Sequence, residues 1–198
     1  MARIPYPDLS AAPQKVRELV ATLPSLNIFR MLPHAAPMVR GFAQLGAAIL
    51  GRAKLDARLR ELTILRVAQR SPAAYEWQQH VSMARACGAT DTEIAALERG
   101  DADAACFGQR ERALLRFTDE LLAGPRATDE ALGDMRSYFS DRELCEAILT
   151  VGYYMMVARF LETTGVDFES DNVGAAVELV TERRGTASDG ETRPHGRR

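Results

Sequence analysis

The stretch that organises this sequence runs from Ser71 to His80 and reads SPAAYEWQQH. Serine followed by proline predicts a helix start, because the serine side chain can accept from free backbone N–H groups and proline has no N–H to satisfy. The helical spacing continues up to Gly88, which predicts the end of the helix. Glu76 and His80 lie one turn apart on the face that also carries the apolar side chains. This helix is therefore predicted to point a carboxylate and an imidazole into the interior.

The preceding helix repeats this feature. Residues 56–69 have helical periodicity, and their most continuous apolar stripe consists of Glu61, Ile64, Leu65 and Ala68. Glu61 opens a stripe that is otherwise apolar. Two consecutive helices are thus predicted to bury one acid each, and the second helix adds His80.

The composition is typical of one globular domain. The chain has 198 residues, of which 46% are hydrophobic, and its net charge of −2 argues against nucleic-acid binding. The sequence shows no signal-peptide pattern, and its longest apolar run, residues 147–160, is too short to span a membrane. We therefore expect a cytoplasmic protein that binds neither nucleic acid nor membrane. Three well-separated cysteines without a C-x-x-C pair predict reduced thiols, and these are Cys87, Cys106 and Cys145.

The rest of the chain favours an all-α fold, because helical periodicity recurs and no alternating strand pattern has useful length. Two capping boxes, Thr90 to Glu93 and Ser140 to Glu143, predict helix starts. The second opens a long helix, residues 141–164, that is apolar nearly all round. We expect it to be buried on every side, in the core or in a subunit interface. Arg159 lies within it and would need a buried partner.

The chain divides into three regions. Residues 1–37 form an N-terminal arm and first helix, residues 38–168 a helical domain, and residues 169–198 a polar tail. Within the tail, 175–182 is predicted to be helical and 183–198 to be disordered. The run Arg-Glu-Leu occurs at 60–62 and again at 142–144, which is a weak indication of two related halves.

Four segments resemble the carboxymuconolactone decarboxylase family, which includes the alkyl hydroperoxidase D-like (AhpD-like) proteins. They are RLREL at 58–62, YEWQQH at 75–80, Gly88 with Ile94, and YYMMVARFL at 153–161. The resemblance covers about residues 38–166. It implies an AhpD-like helical domain built from two related helical halves, which assembles into homo-oligomers, as trimers or hexamers.

The redox members of this family use an upstream Glu, a C-x-x-C pair and a following His. By resemblance these positions correspond to Glu61, Ala73, Glu76 and His80. A dithiol mechanism needs an attacking thiolate and a resolving thiol, and neither Ala73 nor Glu76 supplies one. The sequence therefore resembles the decarboxylase-like branch, in which a carboxylate replaces the thiol next to the histidine.

We predict that this set of side chains moves protons. A carboxylate in an apolar setting favours its neutral form, and a histidine beside it pulls the other way. His80 is expected to donate or accept the proton at the substrate, Glu76 to tune or share that role, and Glu61 to orient His80. The residues assigned to substrate binding are Tyr75, Trp77 and Arg159, with Arg159 gripping a substrate carboxylate.

The predicted function is a carboxymuconolactone decarboxylase-like enzyme, a carboxy-lyase that acts by proton transfer on a small carboxylated or lactone-type molecule. We expect no cofactor and no resident metal. One alternative is an alkylhydroperoxidase or peroxiredoxin-type antioxidant. Another is a non-catalytic binding or assembly protein, in which Glu61 and His80 only satisfy each other. A metal held by Glu61, Glu76 and His80 is the remaining alternative.

Overall fold

The structure is a computed structural model that describes residues 1–169. Within this range the chain forms α-helices and short 3-10 segments without a strand, so the all-α prediction is confirmed. The α-helices are α1 (Gln14–Ala21), α2 (Asn27–Met31), α3 (Val39–Arg52), α4 (Ala57–Arg70), α5 (Ala74–Ala86), α6 (Asp91–Glu98), α7 (Gln109–Ala123), α8 (Asp129–Arg136) and α9 (Asp141–Thr164). The predicted tail helix at 175–182 and the disorder at 183–198 lie outside the described residues.

Most helix starts agree with the capping signals in the sequence. Both predicted capping boxes are present, with Thr90 and Ser140 as the N-cap residues of α6 and α9. Asp56 caps α4 by accepting from the backbone N–H of Leu59 at 3.1 Å. At its other end α9 stops at Gly165, whose φ of 66° is the left-handed conformation that glycine adopts without strain.

The predicted start of α5 at Ser71 and Pro72 is wrong. Ser71 is the C-cap of α4, where its N–H bonds the Val67 carbonyl, and α5 begins at Ala74 without a side-chain cap. The physical reason is the short connection. Residues 71–73 must turn the chain back so that α5 packs against α4, and they are therefore not available to form the first turn of the next helix.

Helix α4 is the centre of the fold. Its residues 59–68 are all buried, and the helix packs against α5, α6, α7 and α9. One side of α4, with Leu62 and Leu65, joins the core cluster formed with α6, α7 and α8. Another side, with Ile64 and Val67, joins the cluster formed with α2, α3 and α9. A polar side chain at positions 59–68 of α4 is therefore enclosed by protein.

Helix α9 is buried on one face within the described chain, so the core does not cover it on every side, and a subunit interface over its other face stays a prediction. Its other face exposes the apolar side chains of Ile148, Leu149 and Met156. Arg159 also lies on the exposed side, where its guanidinium donates to the Met155 carbonyl at 2.8 Å and needs no buried partner.

By length and composition α9 could cross a membrane, since its most apolar segment has a mean hydropathy of 1.4. Half of that segment is buried against the other helices, as in the core helix of a soluble protein.

The N-terminal residues pack on the end of α9. The backbone N–H groups of Arg3 and Ile4 both donate to the Thr164 carbonyl, at 2.8 and 3.1 Å. Ile28 and Met31 of α2 belong to the same core cluster as α9. The boundary at 37/38, the two related halves and the homo-oligomer stay predictions. The repeated Arg-Glu-Leu run has different roles at its two sites, because Glu143 caps α9 whereas Glu61 is buried in α4.

The crossing of α3 and α9 allows a test of the packing. A Cβ added at Gly46 would lie 2.6 Å from the Tyr153 hydroxyl, and Tyr153 is held by its hydrogen bond to the Phe42 carbonyl and by the Tyr154 ring. We expect Gly46→Ala to lower the free energy of unfolding by about 1–3 kcal/mol, as overpacking does. Chemical denaturation measures this.

Gly41→Ala in the same helix is the matched control. A Cβ at Gly41 has no neighbour within 4 Å, so this variant should gain up to about 1 kcal/mol from the better helix former. Equal stabilities of the two variants would contradict the described packing of α3 on α9.

Candidate functional site

The site is built around the carboxylate of Glu61, which is 0% exposed. Its Oε2 lies 2.8 Å from Nδ1 of His80, which is reached across the α4–α5 contact. Its Oε1 accepts from Nε and Nη2 of Arg60, at 3.1 and 2.9 Å. Arg60 and His80 are themselves buried. One carboxylate therefore joins a guanidinium and an imidazole in the interior.

The surroundings of Glu61 keep it ionised. Burial by itself raises the pKa of Glu61, but the interactions with His80 and Arg60 outweigh burial and lower the pKa below its ordinary value. An ionised carboxylate can only accept hydrogen bonds. Nδ1 of His80 must therefore carry the proton that it shares with Glu61, and Nε2 is the ring nitrogen left for another partner.

Glu76 has the opposite environment. It is 2% exposed, and neither of its carboxylate oxygens has a hydrogen-bond partner among residues 1–169. Burial, with the negative charge of Glu162 on α9 adding to it, raises the pKa of Glu76 well above its ordinary value of 4.5. The surroundings of Glu61 thus favour its charged form and those of Glu76 its neutral form, although the two residues lie on adjacent packed helices.

Glu76 and His80 line one cavity of about 590 Å³. Arg60, Gln79 and Tyr154 contribute further polar groups to its wall, and the remaining lining is mostly apolar. The apolar part comes from several elements and includes Ile28, Phe29, Phe42, Leu50, Val157 and Leu161. Glu61 does not line the cavity. It lies behind His80 and Arg60 and acts on the cavity through these two side chains.

Two tyrosines of α9 support the histidine. The rings of His80 and Tyr154 meet edge to face with centroids 4.9 Å apart, and Tyr153 packs against Tyr154 in the same way at 5.2 Å. Burial raises the pKa of both tyrosines, so that they remain neutral phenols. These contacts limit rotation of the imidazole and complement its hydrogen bond to Glu61.

Of the residues predicted to bind substrate, the structure brings only Tyr75 to this cavity. Trp77 is half-buried among apolar side chains and is not in the cavity lining. Arg159 lies at a second cavity of about 390 Å³, together with Arg70 and Glu162. The predicted catalytic residues do come together, with His80 and Glu76 in the lining and Glu61 directly behind.

None of the cysteines is in the lining of the larger cavity within the described chain. Cys87 lies beside Arg60, with Sγ 3.9 Å from Nη2, while Cys106 is near the Thr92 carbonyl and Cys145 is exposed on α9. Residues 1–169 also contain no group of three His, Cys, Asp or Glu side chains that could hold a metal ion. The alternative of a metal on Glu61, Glu76 and His80 is therefore not supported.

Arg60 and Gln79 belong to the site although no pattern in the sequence indicated them. Arg60 follows no apolar stripe, and its position next to Glu61 in the chain gave no indication that the two side chains meet. Gln79 precedes His80, and nothing in the helical pattern separates it from an ordinary surface glutamine. Tyr154 was recognisable only through the segment YYMMVARFL, which carried the family resemblance.

The structure is thus an all-helical domain in which two consecutive helices bring a glutamate–histidine pair to a cavity. Residues 36–120 match the sequence model of the carboxymuconolactone decarboxylase family. The matched segment contains Glu61, Glu76 and His80, so the resemblance seen in the sequence is confirmed. The similarity to this family is shown for residues 36–120 of the chain. No match is found among curated protein sequences.

Solved structures show the same fold at low sequence identity. An uncharacterised peroxidase-related protein with an AhpD core from Ralstonia eutropha has a TM-score of 0.72 and 18% identity, over 92% of this chain and 96% of that one. A putative antioxidant defence protein AhpD from Agrobacterium tumefaciens has a TM-score of 0.63 and 22% identity, over 70% and 95%. The debrominase Bmp8 in complex with 2,3,4-tribromopyrrole has a TM-score of 0.66 and 15% identity, over 91% and 97%.

The raised pKa of Glu76 predicts a pH-dependent stability. Below about pH 4.5 the folded and unfolded chains both hold this proton, whereas at higher pH the unfolded chain loses it first, so wild-type stability falls by up to about 1.4 kcal/mol per pH unit. The glutamine side chain of Glu76→Gln does not ionise, so the variant lacks this pH-dependent loss of stability. We expect its melting temperature relative to wild type to increase as the pH is raised from 4.5 to 8. The control is Glu98→Gln, at an exposed position, whose melting temperature should differ from that of wild type by the same amount at every pH. A pH-independent difference between Glu76→Gln and wild type would contradict the raised pKa of Glu76.

Loss of the Glu61 carboxylate should destabilise the protein strongly. Glu61→Gln leaves the guanidinium of Arg60 buried without its counterion, which costs about 3–5 kcal/mol in comparable buried pairs. Urea denaturation at pH 7 measures this against Glu98→Gln, which should lie within about 0.5 kcal/mol of wild type. A Glu61→Gln variant as stable as that control would show that the buried ion pair is not formed.

Proposed function

We propose that this protein catalyses proton transfer on a small molecule bound in the 590 Å³ cavity, either in a double-bond isomerisation or in a carboxy-lyase reaction. The observation that carries the proposal is the shared cavity of His80 and Glu76. One group is a histidine fixed by an ionised carboxylate, and the other is a carboxyl group whose neutral form is favoured. Two groups with opposite tendencies, side by side in one pocket, are the usual arrangement of an acid–base pair.

In an isomerisation the roles follow from the protonation states. Nε2 of His80 removes a proton from the substrate carbon, and the electron pair of the broken C–H bond moves into the conjugated system. Neutral Glu76 returns a proton at the new position, and the proton gained by His80 passes back to Glu76 to complete the cycle. Glu61 stabilises the imidazolium that forms in between, because it is already ionised and in contact with Nδ1.

In a carboxy-lyase reaction the same groups act in a different order. The bond to the departing carboxylate breaks, its electron pair forms a new double bond, and the remote carbon of the original double bond takes up a proton as carbon dioxide leaves. The proton comes from Glu76 or from protonated His80, and solvent restores it. Both reactions need a cavity of low polarity, in which a positioned acid is more effective than in water.

A dithiol peroxidase function has less support in the chain. The two cysteine positions of the redox members are Ala73 and Glu76 here, and no cysteine is in the described lining of the cavity. The neighbours with peroxidase-related names share the fold at less than 25% identity, which is not evidence for their chemistry. A purely structural role for Glu61 and His80 would not require a cavity of ligand size beside them.

We also propose that the protein acts as a homo-oligomer in the cytoplasm. The exposed apolar side chains Ile148, Leu149 and Met156 on α9 support self-association, because soluble proteins usually cover such a face. The size of the oligomer, a trimer or a hexamer, rests on the family resemblance.

The proposed function is tested with a panel of β,γ-unsaturated lactones with and without a carboxyl group, followed by ¹H NMR in D₂O for deuterium incorporation and by release of carbon dioxide. We expect His80→Gln to lower turnover by at least about 100-fold, in the range of a lost acid–base catalyst. Trp77→Phe should stay near wild type, because Trp77 does not line the cavity. Alkylation with iodoacetamide should have no effect.

Full activity of a folded His80→Gln variant would contradict the assignment of His80. Loss of turnover after alkylation, with hydroperoxide consumption by the untreated protein, would instead favour the antioxidant alternative. The fold of each variant is checked by circular dichroism, so that a lost activity is not a lost structure.

A further inference from the structure

Three acceptor atoms on side chains that line the cavity lack a hydrogen-bond partner within the part of the chain that the structure describes. They are both carboxyl oxygens of Glu76 and Oε1 of Gln79, and all three are buried within the protein. Native proteins leave few buried polar atoms unsatisfied, because each one costs the energy of its lost hydration. Glu76 and Gln79 are one turn apart on α5 and line the same cavity. Together they form an incomplete polar patch that a bound molecule would complete.

The orientation of the Gln79 amide is fixed by its neighbours. Its Nε2 donates to Oε2 of Glu169 at 2.7 Å, and Oε1 of Glu169 accepts from the backbone N–H of Asn27 at 2.7 Å and from the Tyr75 hydroxyl. A carboxylate cannot donate, so the amide cannot be flipped. The oxygen of Gln79 is therefore the atom left without a partner, and it can only accept.

The charges around the cavity disfavour an ionic ligand at this patch. The cation in the inner wall, Arg60, already has its counterion in Glu61, and His80 is bonded to the same carboxylate. Lys54 and Asp56 are both exposed on the rim and carry opposite charges. A ligand carboxylate would face the acceptor oxygen of Gln79, and a ligand ammonium would lose its hydration against a carboxyl group whose neutral form is favoured.

We infer that the cavity takes an uncharged, mainly apolar ring compound that presents an N–H or O–H donor to Gln79 and a paired donor and acceptor to Glu76. Amides, lactams and hydroxylated lactones have this pattern, since a neutral carboxyl group forms two hydrogen bonds with a group that both donates and accepts. The cavity of about 590 Å³ has the size of small-molecule sites. The inference rests on the proposed function, because that proposal places the substrate in this cavity. Of the two reactions proposed above, an uncharged substrate favours the isomerisation, in which a proton is transferred within an uncharged molecule.

Three probes of one size and different charge test this inference: benzamide, benzoate and benzylammonium. Their binding to the full-length protein is measured at pH 7 by isothermal titration calorimetry. We expect benzamide to bind at least about tenfold more tightly than either ion. Glu76→Gln keeps one donor and one acceptor in the same place, so its affinity for benzamide should stay within about threefold of wild type.

Glu76→Leu is the matched variant without polar atoms. It should weaken benzamide binding by at least about tenfold while it retains the fold, which is checked by its melting temperature. Equal or tighter binding of benzoate or benzylammonium would overturn the inference. Undetectable binding of benzamide, or unchanged binding to Glu76→Leu, would overturn it as well.

The binding experiment can fail without the turnover experiment failing, and the reverse also holds. Binding of the probes does not depend on turnover, so an ion-selective cavity would leave the proton-transfer role of His80 standing. Conversely, selective benzamide binding together with full turnover by His80→Gln would contradict the proposed function. The inference that the cavity binds an uncharged ring compound would still stand.

Discussion

A single buried carboxylate, that of Glu61, sets the geometry of the site. It is bound by the guanidinium of Arg60 on one oxygen and by the imidazole of His80 on the other. Such a group is tolerated in the interior only when both oxygens are satisfied and a positive charge is near. Helix α4 provides this environment because it lies in the centre of the fold, and α5 must pack closely on it for His80 to reach Glu61.

The second acid of the site shows how environment decides the role of a side chain. Glu76 lies on the same helix as His80, yet its carboxyl oxygens make no hydrogen bond to any other described residue. The contacts of Glu61 favour its charged form, and the isolation of Glu76 favours its neutral form. The carboxyl group of Glu76 can supply or accept a proton.

The sequence was informative where local patterns determine the structure. The helices, both capping boxes and the inward direction of Glu61, Glu76 and His80 follow from short-range spacing, and the structure agrees. The start of α5 was wrong because the need to reverse the chain after α4 outweighed the capping preference of Ser71. Arg159 is exposed in the single chain, because apolar composition does not show which face of α9 the core covers. Gln79 depends on Glu169, which is 90 positions away, and no local pattern contains such a contact.

The most direct test of this account is the tautomer of His80, read from the ¹⁵N shifts of its ring nitrogens in a long-range ¹H–¹⁵N spectrum. The signals are assigned by their loss in His80→Gln, since His34 and His195 also contribute. We predict that neutral His80 carries its proton on Nδ1, because ionised Glu61 can only accept, and that Nε2 is unprotonated. A neutral ring protonated on Nε2 would contradict the account, since Glu61 would then not hold the imidazole in the orientation that proton transfer requires.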